Sequence, residues 1–183
     1  YTTNAPLRGS KWNLYEGGIR VPLIMRWPKH IPPSSVCNVP VHGCDLFPTF
    51  CEIAGIRPAE GNRDGQSLVS LFQKPQTKLA RSKPLVWHFP YYHPETGYGD
   101  APTTIGIGDF QTSQTRPHSA IRDGDWKLLH FYEGDCIELY NTKADPGEQT
   151  NLSQQQPDVA KTLRERLKDY LKQAGARLPE RRS

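Results

Sequence analysis

The sequence predicts an α/β chain whose second half is α+β, and three observations carry that class. A short apolar run at residues 21–27 stops at Pro28, as a strand buried on both faces would at the edge of a larger, parallel-type sheet. Three strand-like segments at 118–122, 125–133 and 136–141 are separated by Asp123-Gly124 and Gly134-Asp135, turn pairs suited to an antiparallel meander. Val159, Leu163, Leu167, Tyr170 and Leu171 then form one apolar stripe at helical spacing, with Pro157 in the first turn and Gly175 at the end. A small antiparallel sheet packed on one long amphipathic helix is the expected second half.

Each element has a local cause. Gly17-Gly18 makes a turn ahead of the run at 19–27, and Pro32-Pro33-Ser34-Ser35 makes a surface connection behind it. Asp45 is placed to cap a helix over 46–54, with Pro48 tolerated in its first turn and Gly55 closing it. Asp64-Gly65-Gln66-Ser67 turns into a second short helix around 68–72. After Lys83-Pro84 the texture changes: Leu85-Val86-Trp87-His88-Phe89 reads as a strand, and residues 90–117 as a long loop of Pro, Gly, Thr and Tyr. A division at 1–83 and 84–183 follows. In the middle strand of the meander Trp126, Leu128, His130 and Tyr132 share one face, and Lys127, Leu129 and Phe131 the other.

Composition removes several classes. With 15 Gly and 17 Pro in 183 residues, turns are plentiful, but the glycines follow no three-residue period and collagen is excluded. Four Trp, eight Tyr and six Phe supply a core, so wholesale disorder is excluded too. No apolar run is long enough for a membrane span. The net charge of +4 is mild and its acids and bases are interspersed, so nucleic acid is not an expected partner. Cys37, Cys44, Cys51 and Cys136 include no Cys-x-x-Cys pair, which argues against a metal cluster and leaves their redox state open. The chain opens at Tyr1 with no charged-then-apolar leader, so a longer parent polypeptide is expected.

Two clusters can carry chemistry. In the first, Lys11 sits in a Gly-flanked loop ahead of the apolar run, where backbone approaches an anion closely and the ammonium is a compact charge. A solvated lysine is the competing reading. Arg8 is a second candidate cation, against a solvated or paired guanidinium, while Trp12 suits a packing anchor and Glu16 a hydrogen-bonding brace for the Gly17-Gly18 turn. In the second cluster, His88 and His93 flank Tyr91 and Tyr92, a set that fits a sugar through stacking and imidazole hydrogen bonds. For His88 the alternative is a satisfied half-buried strand residue. His118 and His130 read as structural, and His30 and His42 as surface residues.

The run Lys11-Trp12-Asn13-Leu14-Tyr15-Glu16-Gly17-Gly18-Ile19-Arg20-Val21-Pro22 resembles the type I sulfatases of the alkaline-phosphatase-like superfamily. Later segments resemble them in the same order: Asp45-Leu46-Phe47-Pro48-Thr49 through Gly55, Ala120-Ile121-Arg122-Asp123-Gly124-Asp125-Trp126-Lys127-Leu128, and Asp145-Pro146-Gly147-Glu148-Gln149-Thr150-Asn151-Leu152. The resemblance covers the chain as the C-terminal part of such an enzyme. It implies that 1–83 ends a sulfatase catalytic domain and that 84–183 is its C-terminal subdomain.

It also implies a sulfuric ester hydrolase acting on a sulfated carbohydrate or other small molecule, with Lys11 meeting a sulfate oxygen; His88, His93 and Arg8 stay substrate-side candidates on their own chemistry. The family nucleophile is a formylglycine made from Cys or Ser in Cys/Ser-x-Pro-x-Arg, and the nearest run here, Ser82-Lys83-Pro84-Leu85-Val86, has Val where Arg is needed. Formylglycine and Ca2+ ligands are therefore expected outside this chain, on the N-terminal remainder of the same enzyme, with no metal ligand within it. The chain alone is expected to be inactive. Secretion or periplasmic export is a family expectation. A non-catalytic sulfated-glycan binding module and a phosphate or phosphonate ester hydrolase of the same superfamily are the alternatives.

Overall fold

The computed structural model describes residues 4–57, 61, 63–76, 79, 81–91 and 116–180. These fall into two compact units, one of Tyr1–Val21 with Val86–Ser183 and one of Pro22–Leu85. Leu14, Tyr15 and Ile19 pack with the sheet that forms a hundred residues later.

In the first unit β1 (Leu85–Phe89), β2 (His118–Asp123), β3 (Trp126–Phe131) and β4 (Cys136–Asn141) form one four-stranded sheet in the order β1-β2-β3-β4. β2, β3 and β4 are the predicted antiparallel meander, with Ile121 opposite Leu128 and Leu128 opposite Leu139. That row meets Ala160, Leu163, Leu167 and Leu171 of a helix at Pro157–Gln173, so one sheet face is sealed by the predicted apolar stripe. The helix starts on Pro157 and stops at Gly175, whose φ of +62° lets Ala176 N–H return to Leu171 O at 2.9 Å.

The opposite face carries Ala120, Leu129, Phe131 and Tyr140, and what covers them is Leu14 and Tyr15 of the N-terminal loop. That loop ends in a helical turn, α1 (Glu16–Ile19), where a simple Gly-Gly turn was expected. The sheet therefore has a helix on one side and the lysine-bearing loop on the other.

The second unit holds α2 (Leu46–Ile53) and α3 (Val69–Gln73) around Leu68, Leu71 and Phe72, with Met25, Trp27, Ile31, Val39 and Val41 packed on them. Numbered in chain order, the helix at Pro157–Gln173 is α4. Asp45 precedes α2 but does not cap it with its side chain. Its carboxylate instead accepts from His42 N–H at 2.7 Å, Gln66 N–H at 2.9 Å and Arg81 at 3.0 Å. Burial would raise this carboxyl's pKa, but Arg81 and the two N–H groups outweigh burial and hold it below the ordinary carboxylate range.

The expected strand over 19–27 is a correction. Ile19 ends α1, and 21–27 forms no regular element and has no ladder partner among the described residues. Val21 is 78% and Ile24 91% exposed, while Met25 and Trp27 turn onto the Leu68 cluster. An apolar run buried on both faces needs sheet neighbours for its N–H and C=O groups and a layer on each side. The described residues supply neither.

Because α4 closes one face of the sheet through a single row of leucines, Leu167→Ala should destabilise the first unit by roughly 2–5 kcal/mol, the range for deleting a fully buried leucine. Urea unfolding followed by tryptophan fluorescence would measure it.

Candidate functional site

Lys11 stands exposed near the tip of the N-terminal loop, its Nζ 4.4 Å from the centroid of the Trp12 ring. Trp12 has φ of +76° and its ring lies 6.3 Å from that of Phe89 on β1, so the lysine is carried on an aromatic packed against the sheet. The loop closes on itself through Gly17 N–H donating to Arg8 O at 2.7 Å. This closure accounts for both glycines of the pair. A Cβ at Gly17 would lie 2.4 Å from Gly9 O and 2.5 Å from Arg8 O, and one at Gly18 would lie 2.0 Å from Asn13 O. No side chain fits at those distances.

At one end of the closed loop, Arg8 Nη1 donates to Tyr140 Oη at 2.8 Å and to Glu148 O at 3.3 Å, and lies 3.8 Å from Glu138 Oε2. Its guanidinium also lies over the Tyr15 ring at 4.2 Å. Glu138 Oε2 accepts from Tyr15 Oη at 2.7 Å and Tyr140 Oη at 2.9 Å. Burial, reinforced by the Glu138 charge, pushes both phenols far above their ordinary range, so they remain neutral donors. Arg8, a sequence candidate for substrate contact, is thus engaged with the protein's own Tyr140, Glu138 and Glu148.

At the other end lies a network of ion pairs that sequence reasoning did not foresee. Lys127 of β3 is fully buried, with Nζ 3.0 Å from Glu16 Oε1 and 2.9 Å from Glu148 Oε1. Glu148 Oε2 accepts from the backbone N–H of Glu16 at 2.6 Å. Arg122 and Arg20 add positive charge 3.5 Å and 3.9 Å from Glu16 Oε2, so the two buried carboxylates face three cations. Burial raises the Glu148 carboxyl above its ordinary pKa, against the pull of Lys127 and the Glu16 N–H. Glu16 was expected to brace the Gly17-Gly18 turn; its carboxylate instead pairs with Lys127. One signal was available: the alternation of β3 set Lys127 on the same face as Leu129 and Phe131.

Glu148 reaches the network because its own segment is tied down. Asp145 Oδ2 accepts from Gln149 N–H at 2.8 Å and Thr150 N–H at 2.9 Å, and Asn151 Oδ1 accepts from Leu139 N–H at 3.1 Å. Glu148 itself has φ of +52°, a left-handed conformation that is sparse for a residue with a side chain. The Asp145-to-Asn151 motif is therefore a turn that delivers one glutamate to the loop.

His88 donates from Nε2 to Arg177 O at 2.8 Å, which leaves Nδ1 to accept from Ser119 Oγ at 2.6 Å; Tyr132 Oη lies 2.8 Å from that hydroxyl. Both of its ring nitrogens have partners within the protein. His93 and most of the long loop at 90–117 lie outside the described residues. His118 is structural as expected: Nδ1 donates to Arg116 O at 2.8 Å and Nε2 accepts from Leu14 N–H at 3.0 Å. His130 pairs with Asp135 at 2.7 Å, and His30 stacks on Trp27 at 3.8 Å. His42, expected on the surface, is half-buried and caps a short turn by accepting from Cys44 N–H. The four cysteines are free thiols. No group of three metal-ligating side chains occurs among the described residues, and the one buried carboxylate pair holds an ammonium.

Two outcomes follow. Lys127→Met should cost about 3–5 kcal/mol, the range for removing one partner of a buried ion pair, because Glu16 and Glu148 would then face each other without it. Equilibrium unfolding at pH 7 would measure this. His118 gives a pH dependence: burial lowers its pKa from 6.5 to about 4, so it is neutral when folded. Between those values the unfolded chain binds a proton that the folded chain does not. Its contribution is complete above pH 6.5 and is lost as the pH falls toward 4, by up to ~1.4 kcal/mol per pH unit. Urea midpoints across this window should fall more steeply for the native chain than for His118→Gln.

Comparison with known proteins places this geometry. Residues 10–105 and 109–174 match the family described as N-sulphoglucosamine sulphohydrolase, C-terminal. The chain is 37% identical over 184 residues to a sulfatase of Formosa agariphila, covering 93% of this chain and 30% of that protein. It is 32% identical over 165 residues to an N-acetylglucosamine-6-O-sulfatase of Bacteroides thetaiotaomicron, covering 86% of this chain and 26% of that protein. A solved protein in complex with its substrate D-glucosamine-2-N,6-O-disulfate aligns with TM-score 0.58 and 28% identity, over 81% of this chain and 27% of its own. The chain thus spans between a quarter and a third of the length of these relatives. Its match from the lysine loop through the final helix shows that it belongs to the sulfatases, as the C-terminal region described for N-sulphoglucosamine sulphohydrolase.

Proposed function

We propose that this chain forms the lysine-bearing C-terminal part of a sulfatase that hydrolyses sulfate esters on an amino sugar or related carbohydrate. The carrying observation is Lys11 itself, an exposed ammonium on a loop whose two ends are tied to a buried network, in a chain whose relatives include an N-acetylglucosamine-6-O-sulfatase. An ammonium already in place next to a sulfate oxygen stabilises the charge that develops as the ester bond breaks, with little reorganisation at that moment. Trp12 and the closed backbone hold the lysine stem, and Tyr15, Glu16 and Leu14 anchor the loop to the sheet. The formylglycine and Ca2+ expected of the family would supply attack on sulfur and charge neutralisation from the remainder of the enzyme. Among the described residues no group fits a metal.

In the full-length enzyme, Lys11→Ala should lower kcat/KM for glucosamine 6-O-sulfate by about 100-fold or more, as loss of one preorganised electrostatic donor does. Lys11→Arg should recover part of it. Since Lys11 is exposed, the thermal midpoint should stay the same. Unchanged turnover in Lys11→Ala would remove the proposed role.

A further inference from the structure

We infer that Glu148 is a positioning residue for Lys11, fastening both ends of the loop that carries it; this rests on the sulfate-binding reading of that lysine. One residue touches both ends: its backbone O accepts from Arg8 Nη1 at 3.3 Å, and its carboxylate accepts from Glu16 N–H at 2.6 Å. Lys11 lies between those two attachment points, and Gly17 N–H to Arg8 O at 2.7 Å closes the ring of backbone beneath it. Glu148 is fully buried and cannot itself meet a substrate. Lys127 neutralises its charge at 2.9 Å, and the Asp145 and Asn151 hydrogen bonds fix the turn that presents it. A carboxylate held in a left-handed turn between two buried partners has one available placement, so the loop ends it binds have one as well. Catalytic groups lose effect steeply with displacement: ~1 Å costs up to about 100-fold.

The test is a double-mutant cycle in the full-length enzyme with glucosamine 6-O-sulfate as substrate. Glu148→Gln keeps the shape but has one side-chain oxygen where the carboxylate uses two, so it cannot accept from both the Glu16 N–H and Lys127. With Lys11 present, kcat/KM should fall about tenfold; in the Lys11→Ala background the same change should cost less than about twofold, because the group being positioned is gone. An equal loss in both backgrounds would mean a merely structural role and overturn the inference, as would full activity in Glu148→Gln. If Glu148→Gln does not fold, Glu148→Asp, which keeps the charge and shortens the reach, is read by the same comparison. Lys11→Ala alone reports on the sulfate-binding reading, so failure of that reading is visible independently of the Glu148 variants.

Discussion

The ammonium of Lys127, buried between Glu16 and Glu148, is the interaction on which the rest of the first unit depends. A lysine with no exposed surface is tolerable only when opposite charge lies within hydrogen-bonding distance, and here one carboxylate comes from the N-terminal loop and the other from the segment after β4. The three residues are brought together from positions 16, 127 and 148, and Lys127 draws one carboxylate from each side. The loop and the turn at 145–151 are therefore joined through the middle strand of the sheet.

That coupling explains how a loop with little regular structure is held in place. The apolar residues Leu14 and Tyr15 fill the sheet face opposite α4, which supplies area but little directional control. Direction comes from polar contacts at the two ends: Arg8 among Tyr140, Glu138 and Glu148, and Glu16 at Lys127. Between them, Gly17 and Gly18 let the backbone strands of the loop approach within distances that exclude a Cβ. Lys11 stays exposed at the surface of the loop.

The same sheet shows where periodicity succeeds and where it fails as a guide. The meander, its turn pairs and the stripe on α4 are local patterns, and they stand where the alternation and the helical spacing put them. The apolar run at 21–27 is equally clear as a pattern, yet it is unpaired among the described residues, because a strand is completed by neighbours that the run does not itself encode. Asp45 is a comparable case. A carboxylate ahead of a helix suits a cap, but Arg81 and two backbone N–H groups compete for it and hold it as an internal hub.

By itself the sequence determined the α+β second half, the sulfatase kinship and the loop that bears Lys11, because propensity, alternation and contiguous motifs are properties of neighbouring residues. It also set Glu16, Lys127 and Glu148 within motifs that resemble the family, without saying what they do. Only the tertiary structure decided that these three share one buried site, that Arg8 and His88 have partners within the protein, and that residues 1–21 join the sheet unit. Those outcomes turn on burial and on charges meeting across a hundred residues of chain, and a charged side chain looks the same in sequence whether it faces water or a buried counter-charge.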